Sequence, residues 1–354
     1  MATSKIIGTG CYIPNRIQKN EDFLESTFYN EKMEVFPTSN EIIIKKFKAI
    51  TGIKERKYLD KDMVNSDMAT IAAKKAIEDS KINAEELDYI IVAHNFGDVK
   101  YGEHQPQQVP SIASRVKHSL GIENPNCVGY DVLFGCPGWI EAFIQANAFI
   151  KAGIAKKCLI IGSETLGRIA DPHDRDCMIY SDGAGAAVIE FSEDNQQGVL
   201  SHISQTFAKD EAYYLYTDKS FNPNEDQSIG YMKMLGRKIY EFALTNVPNA
   251  MKAALDKSDV SINNIKKILI HQANEKMDEA IVKRFYELYN KEMPEDIMPM
   301  SITNLGNSSV ATVPTLIDLI LKGNLENHKI NKGDTVLLAS VGAGMNINAI
   351  VYQF

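Results

Sequence analysis

A cysteine, a histidine and an asparagine, in that order along the chain, are the residues whose types could do covalent chemistry together. Cys136 lies in Tyr130-Asp131-Val132-Leu133-Phe134-Gly135-Cys136-Pro137-Gly138-Trp139, where an apolar strand ends and an apolar helix is expected over 140–152. Such a junction offers free backbone N–H groups and the positive end of a helix dipole, which favour thiolate over thiol. His271 follows in Ile270-His271-Gln272-Ala273-Asn274, and Asn307 in Gly306-Asn307-Ser308-Ser309-Val310-Ala311. These types can handle thioesters. A thiolate takes an acyl group as a covalent intermediate. A neutral imidazole and an amide then polarise a second thioester carbonyl and stabilise its enolate. Paired backbone N–H groups must hold the oxyanion, one from Cys136 and one from Ala343 in Gly342-Ala343-Gly344.

Each part has a plainer reading. A lone buried cysteine is most often a small core hydrophobe. A histidine at a strand end is more often a hydrogen-bonded core residue, and Asn307 after a glycine suits a turn or cap. A zinc site lacks its Cys-x-x-Cys or His-x-x-x-His pair. A Cys-His-Asn protease uses the same residue types, but the organisation of the chain argues against it.

That organisation is a repeat. Ala72–Ser80 reads as a helix followed by a buried strand, Glu86–Ala93, and the same phrase returns as Met251–Ser258 followed by Asn264–His271. Ile77 matches Leu255, Ser80 matches Ser258 and Ile90 matches Ile268, each 178 positions apart (268 less 90). Lys157–Ser163 recurs as Thr335–Val341 at the same offset. The helices over 143–153 and 316–323 both end in a Lys and a Gly, so the loops bearing Cys136 and Asn307 would correspond. Near-continuous apolar strands alternating with helices imply parallel sheets buried on both faces. Two such halves, 1–190 with the cysteine and 191–354 with the histidine and asparagine, would stack as an α/β/α/β/α sandwich. The glycine-rich Cys177–Ile189 lacks a nucleotide-loop spacing and reads as structural. Phe207–Lys233, polar and rich in Tyr, reads as a covering loop, and Asn95–Pro110 as part of an entrance or subunit contact.

Composition bounds the partners. The chain has 354 residues, 44% of them apolar and 24% charged, with a net charge of −8, which argues against nucleic acid. Five irregularly spaced cysteines do not form a disulfide framework in a chain this long. No apolar run is long enough to span a bilayer, and Met1–Lys5 leads into a strand, so a cytoplasmic protein without a membrane partner is expected.

The ordered set of motifs resembles the β-ketoacyl-acyl-carrier-protein synthase III family of the thiolase superfamily. It runs from Thr51-Gly52-Ile53-Lys54-Glu55-Arg56 through the Cys136 segment, Asp171-Pro172-His173-Asp174-Arg175 and Asp182–Ala187. It continues through His271–Asn274, Gly306–Ser309 and Gly342–Gly344. The resemblance implies a homodimeric, thiolase-like condensing enzyme with Cys136 as nucleophile, and with His271 and Asn307 activating the extender. It implies no metal or redox cofactor, acyl-CoA or acyl-carrier thioesters as substrates, and an acidic acyl carrier protein as partner. Arg175, Arg237, Asn274, Lys276, Lys283 and Arg284 are the carrier- or pantetheine-binding residues it implies.

The departures are informative. Members that use coenzyme A starters carry a Trp four positions before an Arg, where this chain has Lys46 and Ile50. Pro137 stands where a small Ala is usual, and Gly342-Ala343-Gly344 replaces a triple glycine. A carrier-borne or longer acyl starter is therefore expected. Val92–Asp98 with Leu133–Trp139 is similar to the branch making dialkylresorcinol and flexirubin-type lipids, which joins an acyl thioester to a β-ketoacyl thioester. Malonyl-dependent initiation of fatty-acid synthesis, acyl transfer to an alcohol or amine, and a non-catalytic partner subunit are the alternatives. A hydroxymethylglutaryl-type synthase would need a carboxylate general acid, and none identifies itself in the sequence.

Overall fold

The computed structural model describes residues 3–194 and 197–354. Met1 and Ala2, at which the reading of the N-terminus began, lie outside the described residues. The first half runs β1 (Thr3–Tyr12), β2 (Arg16–Lys19), α1 (Asn40–Thr51), β3 (Glu55–Tyr58), α2 (Asn65–Ser80) and β4 (Tyr89–Ala93). It continues with α3 (Ile112–Leu120), β5 (Val128–Val132), α4 (Gly138–Lys151), β6 (Lys157–Thr165) and β7 (Asp182–Ser192). The second half runs β8 (Gly198–Thr206), β9 (Leu215–Asp218), β10 (Tyr231–Met234), α5 (Gly236–Lys257), β11 (Ile265–Ile270) and α6 (Glu275–Glu287). Then follow α7 (Ile302–Leu305), α8 (Thr312–Leu321), β12 (Thr335–Gly342) and β13 (Asn346–Gln353).

The strands form two large sheets, ordered β1-β7-β6-β4-β5 and β11-β12-β13-β8. Helices α4 and α8 fill the space between them. Trp139, Phe143, Val313 and Ile317 share one core with Ile91 and Ile160 from the first sheet and Leu269 and Leu338 from the second. A helix apolar on all sides is stable only when covered on all sides, and α4 and α8 are the most apolar helices of the chain. Helices α2 and α3 cover the outer face of the first sheet, and α5 and α6 that of the second. The five layers expected from the repeat are present.

The duplication extends to register. Ile91 faces Ile160 in the parallel β4/β6 pair, and Leu269 faces Leu338 in β11/β12, both at the offset of 178. Ser80 and Ser258 cap their helices with the same bond, from hydroxyl to the carbonyl three residues back (Ile77 and Leu255). The strand directions differ from expectation. β5, β4 and β6 are parallel, as are β11 and β12, but β7, β1, β13 and β8 join antiparallel. A parallel pair needs a crossover helix. Only short 3-10 turns separate β6 from β7, and three residues separate β12 from β13. Strands buried on both faces read as continuous apolar runs in either direction, so composition could not distinguish them.

The Tyr-rich stretch between the halves folds over as the β9/β10 ribbon. Buried Lys233 pins the ribbon down, with its Nζ 2.6 Å from Asp171 and 3.3 Å from Asp174. All five cysteines are free thiols. No helix among the described residues is long and apolar enough to cross a membrane.

Candidate active site

The strand ends and helix starts of the two halves meet at one cavity of about 800 Å3. Cys136 lies in the turn between β5 and α4, and two glycines let this turn touch the end of β12. Gly135 adopts a φ of +65°, and a Cβ there would stand 2.5 Å from the nitrogen of Ala343. A Cβ on Gly342 would stand 2.4 Å from the nitrogen of Cys136 and 2.8 Å from Cδ of Pro137. No side chain fits at either position, so the amides of Cys136 and Ala343 are held in one contact. Pro137 packs against that contact.

The thiol differs from the sequence expectation. Burial pushes Cys136 up to about 11, while a hydrogen bond from the Ser309 hydroxyl (3.4 Å) pulls it back only in part. Loss of water around the sulfur outweighs the hydrogen bonds to it, which favours the protonated thiol.

His271 directly follows β11, and its N–H extends the ladder to the carbonyl of Ala339 at 2.9 Å. Burial lowers its imidazole to about 4, so it is neutral at ordinary pH. Among the described residues its Nδ1 has no hydrogen-bond partner. Asn307 is clamped by its backbone: its N–H donates to Ile179, and its carbonyl accepts from Ser181. Its Oδ1 accepts from the N–H of Ser309 at 2.8 Å, which leaves the amide hydrogens as donors. Arg56, fully buried, supports this loop. It donates to the carbonyl of Met178 and to Asn20, and its Cβ would stand 2.9 Å from a Cβ on Gly306. Cys136, His271, Asn307 and Ser309 all line the cavity.

The other sequence-derived residues divide into two groups. Arg175, Arg237 and Asn274 line the cavity, with Lys46 and Ile50 beside them. Arg175 lies over Phe36 at 4.9 Å, and Asn274 caps α6 by accepting from the N–H of Met277. Lys276, Lys283 and Arg284 are not brought to the cavity. Arg284 donates to the Leu244 carbonyl at 3.0 Å, and Lys276 and Lys283 are exposed on α6, one heptad apart. A helix face seven residues long turns only part of itself toward a cavity at its N-terminus.

Sequence reasoning missed four polar groups here. Glu164, at the end of β6, is fully buried, and burial pushes its carboxyl up to about 7. Its Oε2 accepts from the N–H and the side-chain amide of Asn95, at 2.8 and 2.7 Å. The Asn95 amide also donates to Ser309 Oγ at 3.4 Å. The Tyr180 hydroxyl is buried without a partner among the described residues, and Tyr180 lines the cavity. Asn95 lay within a stretch already singled out, but Glu164 reads in sequence as one more residue of a repeated strand. Ser309 owes its position to a φ of +53°, which residue type does not announce. Among the described residues no group of three His, Cys, Asp or Glu side chains could hold a metal ion.

Residues 130–206 match the family model described as 3-oxoacyl-[acyl-carrier-protein (ACP)] synthase III, and residues 255–354 match the model of its C-terminal part. A relative from Koribacter versatilis, named beta-ketoacyl-[acyl-carrier-protein] synthase III, is 32% identical, covering 99% of this chain and 98% of its own. One of the same name from Clostridium perfringens is 31% identical over the whole of both chains. The crystal structure of 3-oxoacyl-[acyl-carrier-protein] synthase III from Aquifex aeolicus superposes with a TM-score of 0.82 at 30% identity, covering 99% of this chain and all of that one. The chain belongs to the 3-oxoacyl-[acyl-carrier-protein] synthase III family, and is a condensing acyltransferase of the thiolase superfamily.

Proposed function

We propose that this enzyme loads a medium- or long-chain acyl group from an acyl carrier protein onto Cys136 and condenses it with a β-ketoacyl thioester. The observation that carries this reading is the convergence of Cys136, His271 and Asn307 on one large cavity whose walls include Phe36, Phe47, Met178 and Met232. In the first step the sulfur of Cys136 attacks the acyl carbonyl, and the donor thiol leaves with the proton. In the second, His271 and the Asn307 amide donate to the extender's thioester oxygen as its α-carbon loses a proton. The enolate attacks the acyl carbonyl, the N–H groups of Cys136 and Ala343 hold the oxyanion, and the sulfur departs. Overall, the α-proton of the extender ends on that sulfur. Residues 1–190 thus act as the half supplying the nucleophile, and 191–354 as the half supplying the donors.

Several features support the finer choices. Lys46 and Ile50 give no aromatic and guanidinium clamp for an adenine, which favours a carrier over coenzyme A. Arg175, Arg237 and Asn274 at the cavity are suited to a phosphopantetheine arm, with Lys276 and Lys283 to an acidic carrier. Arg284, exposed on the same helix with one guanidinium nitrogen on the Leu244 carbonyl, adds its charge to that surface. The buried Tyr180 hydroxyl, a neutral donor, suits the neutral keto oxygen of a β-ketoacyl chain better than the charged carboxylate of malonate, as in dialkylresorcinol-type lipids. The open edge of β5 and the exposed Leu133 beside it support a homodimer through that edge. The second reading, malonyl-dependent initiation, is favoured by the relatives' shared name.

Incubation with acyl carriers and acyl-CoAs of graded length, read as the mass shift of intact protein, tests the loading step. Product analysis with β-ketoacyl and malonyl extenders then tests the second step. A long-chain shift and a product retaining every extender carbon are expected. A shift from acetyl-CoA alone, with carbon dioxide released, would replace this reading with the second. An ester or amide product, or no shift at all, would move the assignment to a transferase or a partner subunit.

A further inference from the structure

The resting thiol poses a problem that the three sequence-derived residues do not solve. Burial holds Cys136 protonated, His271 is a poor base, and Asn307 cannot take a proton. The side chain that pulls the thiol back toward its ordinary value is Ser309, at the end of a polar chain beside the cavity. Ser309 Oγ is 3.4 Å from Sγ of Cys136, Asn95 Nδ2 is 3.4 Å from that Oγ and 2.7 Å from Glu164 Oε2.

The donor directions along this chain follow from the groups themselves. An amide nitrogen only donates, so Asn95 gives one hydrogen to Glu164 and the other to Ser309. The Ser309 oxygen therefore accepts from Asn95, and its own hydrogen is left for the sulfur. Glu164 holds the amide in that orientation, because its Oε2 accepts from both the backbone and the side chain of Asn95. A flipped amide would set two oxygens against each other. We propose that Ser309 is a catalytic donor that stabilises the Cys136 thiolate, and that Asn95 and Glu164 are positioning residues acting through it. This assignment rests on the reading of Cys136 as nucleophile.

The titratable groups around the sulfur are Glu164 from β6, His271 after β11 and Tyr180 beside Asn307. Those acting on Glu164 are His94, which favours its charged form, and Asp182, which opposes it. Glu164 also has a second oxygen, Oε1, without a partner among the described residues. The carboxylate thus has an acceptor to spare and is not saturated by Asn95.

The test is the pH dependence of Cys136 alkylation by iodoacetamide, followed by peptide mass on the purified full-length protein. Ser309→Gly removes the hydroxyl and suits the positive φ, and Ser309→Ala removes it with a side chain kept. Both should raise the alkylation midpoint by about one pH unit, the worth of one hydrogen bond to a charged group. Asn95→Ala should raise it similarly in the parent and add nothing in the Ser309→Gly background. A shift from Asn95→Ala that persists at full size in that background overturns the positioning role. An unmoved midpoint in both Ser309 variants overturns the donor role. If Cys136 of the parent protein alkylates but accepts no acyl group from any donor, the nucleophile reading itself fails whatever the Ser309 midpoints show, and the two failures are told apart.

Discussion

The two halves place different residues at corresponding positions, and the difference divides the chemistry between them. At the end of β6 stands Glu164, and 178 residues on, at the end of β12, stands Gly342. Each acts on a loop of the opposite half. Gly342 lets the chain press against the nitrogen of Cys136. Glu164, through Asn95, reaches Ser309 beside Asn307. Likewise, Ala93 ends β4 at the position where His271 follows β11. A duplicated frame thus delivers two strand ends and one helix start from each side, and on the proposed mechanism residue identity at those points would make one side the acyl acceptor and the other the enolate stabiliser.

The sharpest way to break this division is to delete each side. Cys136→Ala should abolish acyl loading and lower condensation by more than about a thousand-fold, as loss of a covalent nucleophile does. His271→Ala and Asn307→Ala should instead leave loading intact and cut condensation by about a hundred- to a thousand-fold. Mass measurement and product formation, taken on the same samples, separate the two outcomes. The acid limb of condensation sharpens the second half of the comparison. Because burial depresses His271 to about 4, the neutral donor is lost only as pH falls through that value, and the rate should stay level down to about pH 5. A limb near 6.5 that disappears in Glu164→Gln would belong to Glu164, and one that persists there to a hydrated histidine.

Gly342→Ala should cost condensation about a hundred-fold, since its Cβ would drive Ala343 away from Cys136 and open the oxyanion site. Lys46→Trp with Ile50→Arg rebuilds the clamp and should lower KM for acyl-CoA by about ten-fold while leaving acyl-carrier turnover alone. The smallest effect belongs to Lys276→Glu with Lys283→Glu. KM for carrier-borne substrate should rise by about three-fold, with a small pantetheine thioester unaffected.

Much of this was legible in the sequence because apolar periodicity survives duplication. Ile77, Ser80 and Ile90 found their counterparts, and even the strand register kept the offset. The cysteine, histidine and asparagine were legible because their residue types are uncommon in that order. The chain Glu164–Asn95–Ser309 was not, because it is built from contacts 69 and 214 positions apart that no local pattern encodes. The raised thiol escaped for a related reason: a helix start is visible in sequence, whereas the depth of burial around it is not.

The most direct test of the division of labour is the intact mass of His271→Ala after incubation with a long-chain acyl carrier and an extender together. The account predicts a stable adduct of one acyl group, mapped to Cys136, with no condensed product. An unmodified protein, or an adduct on any other residue, would contradict it.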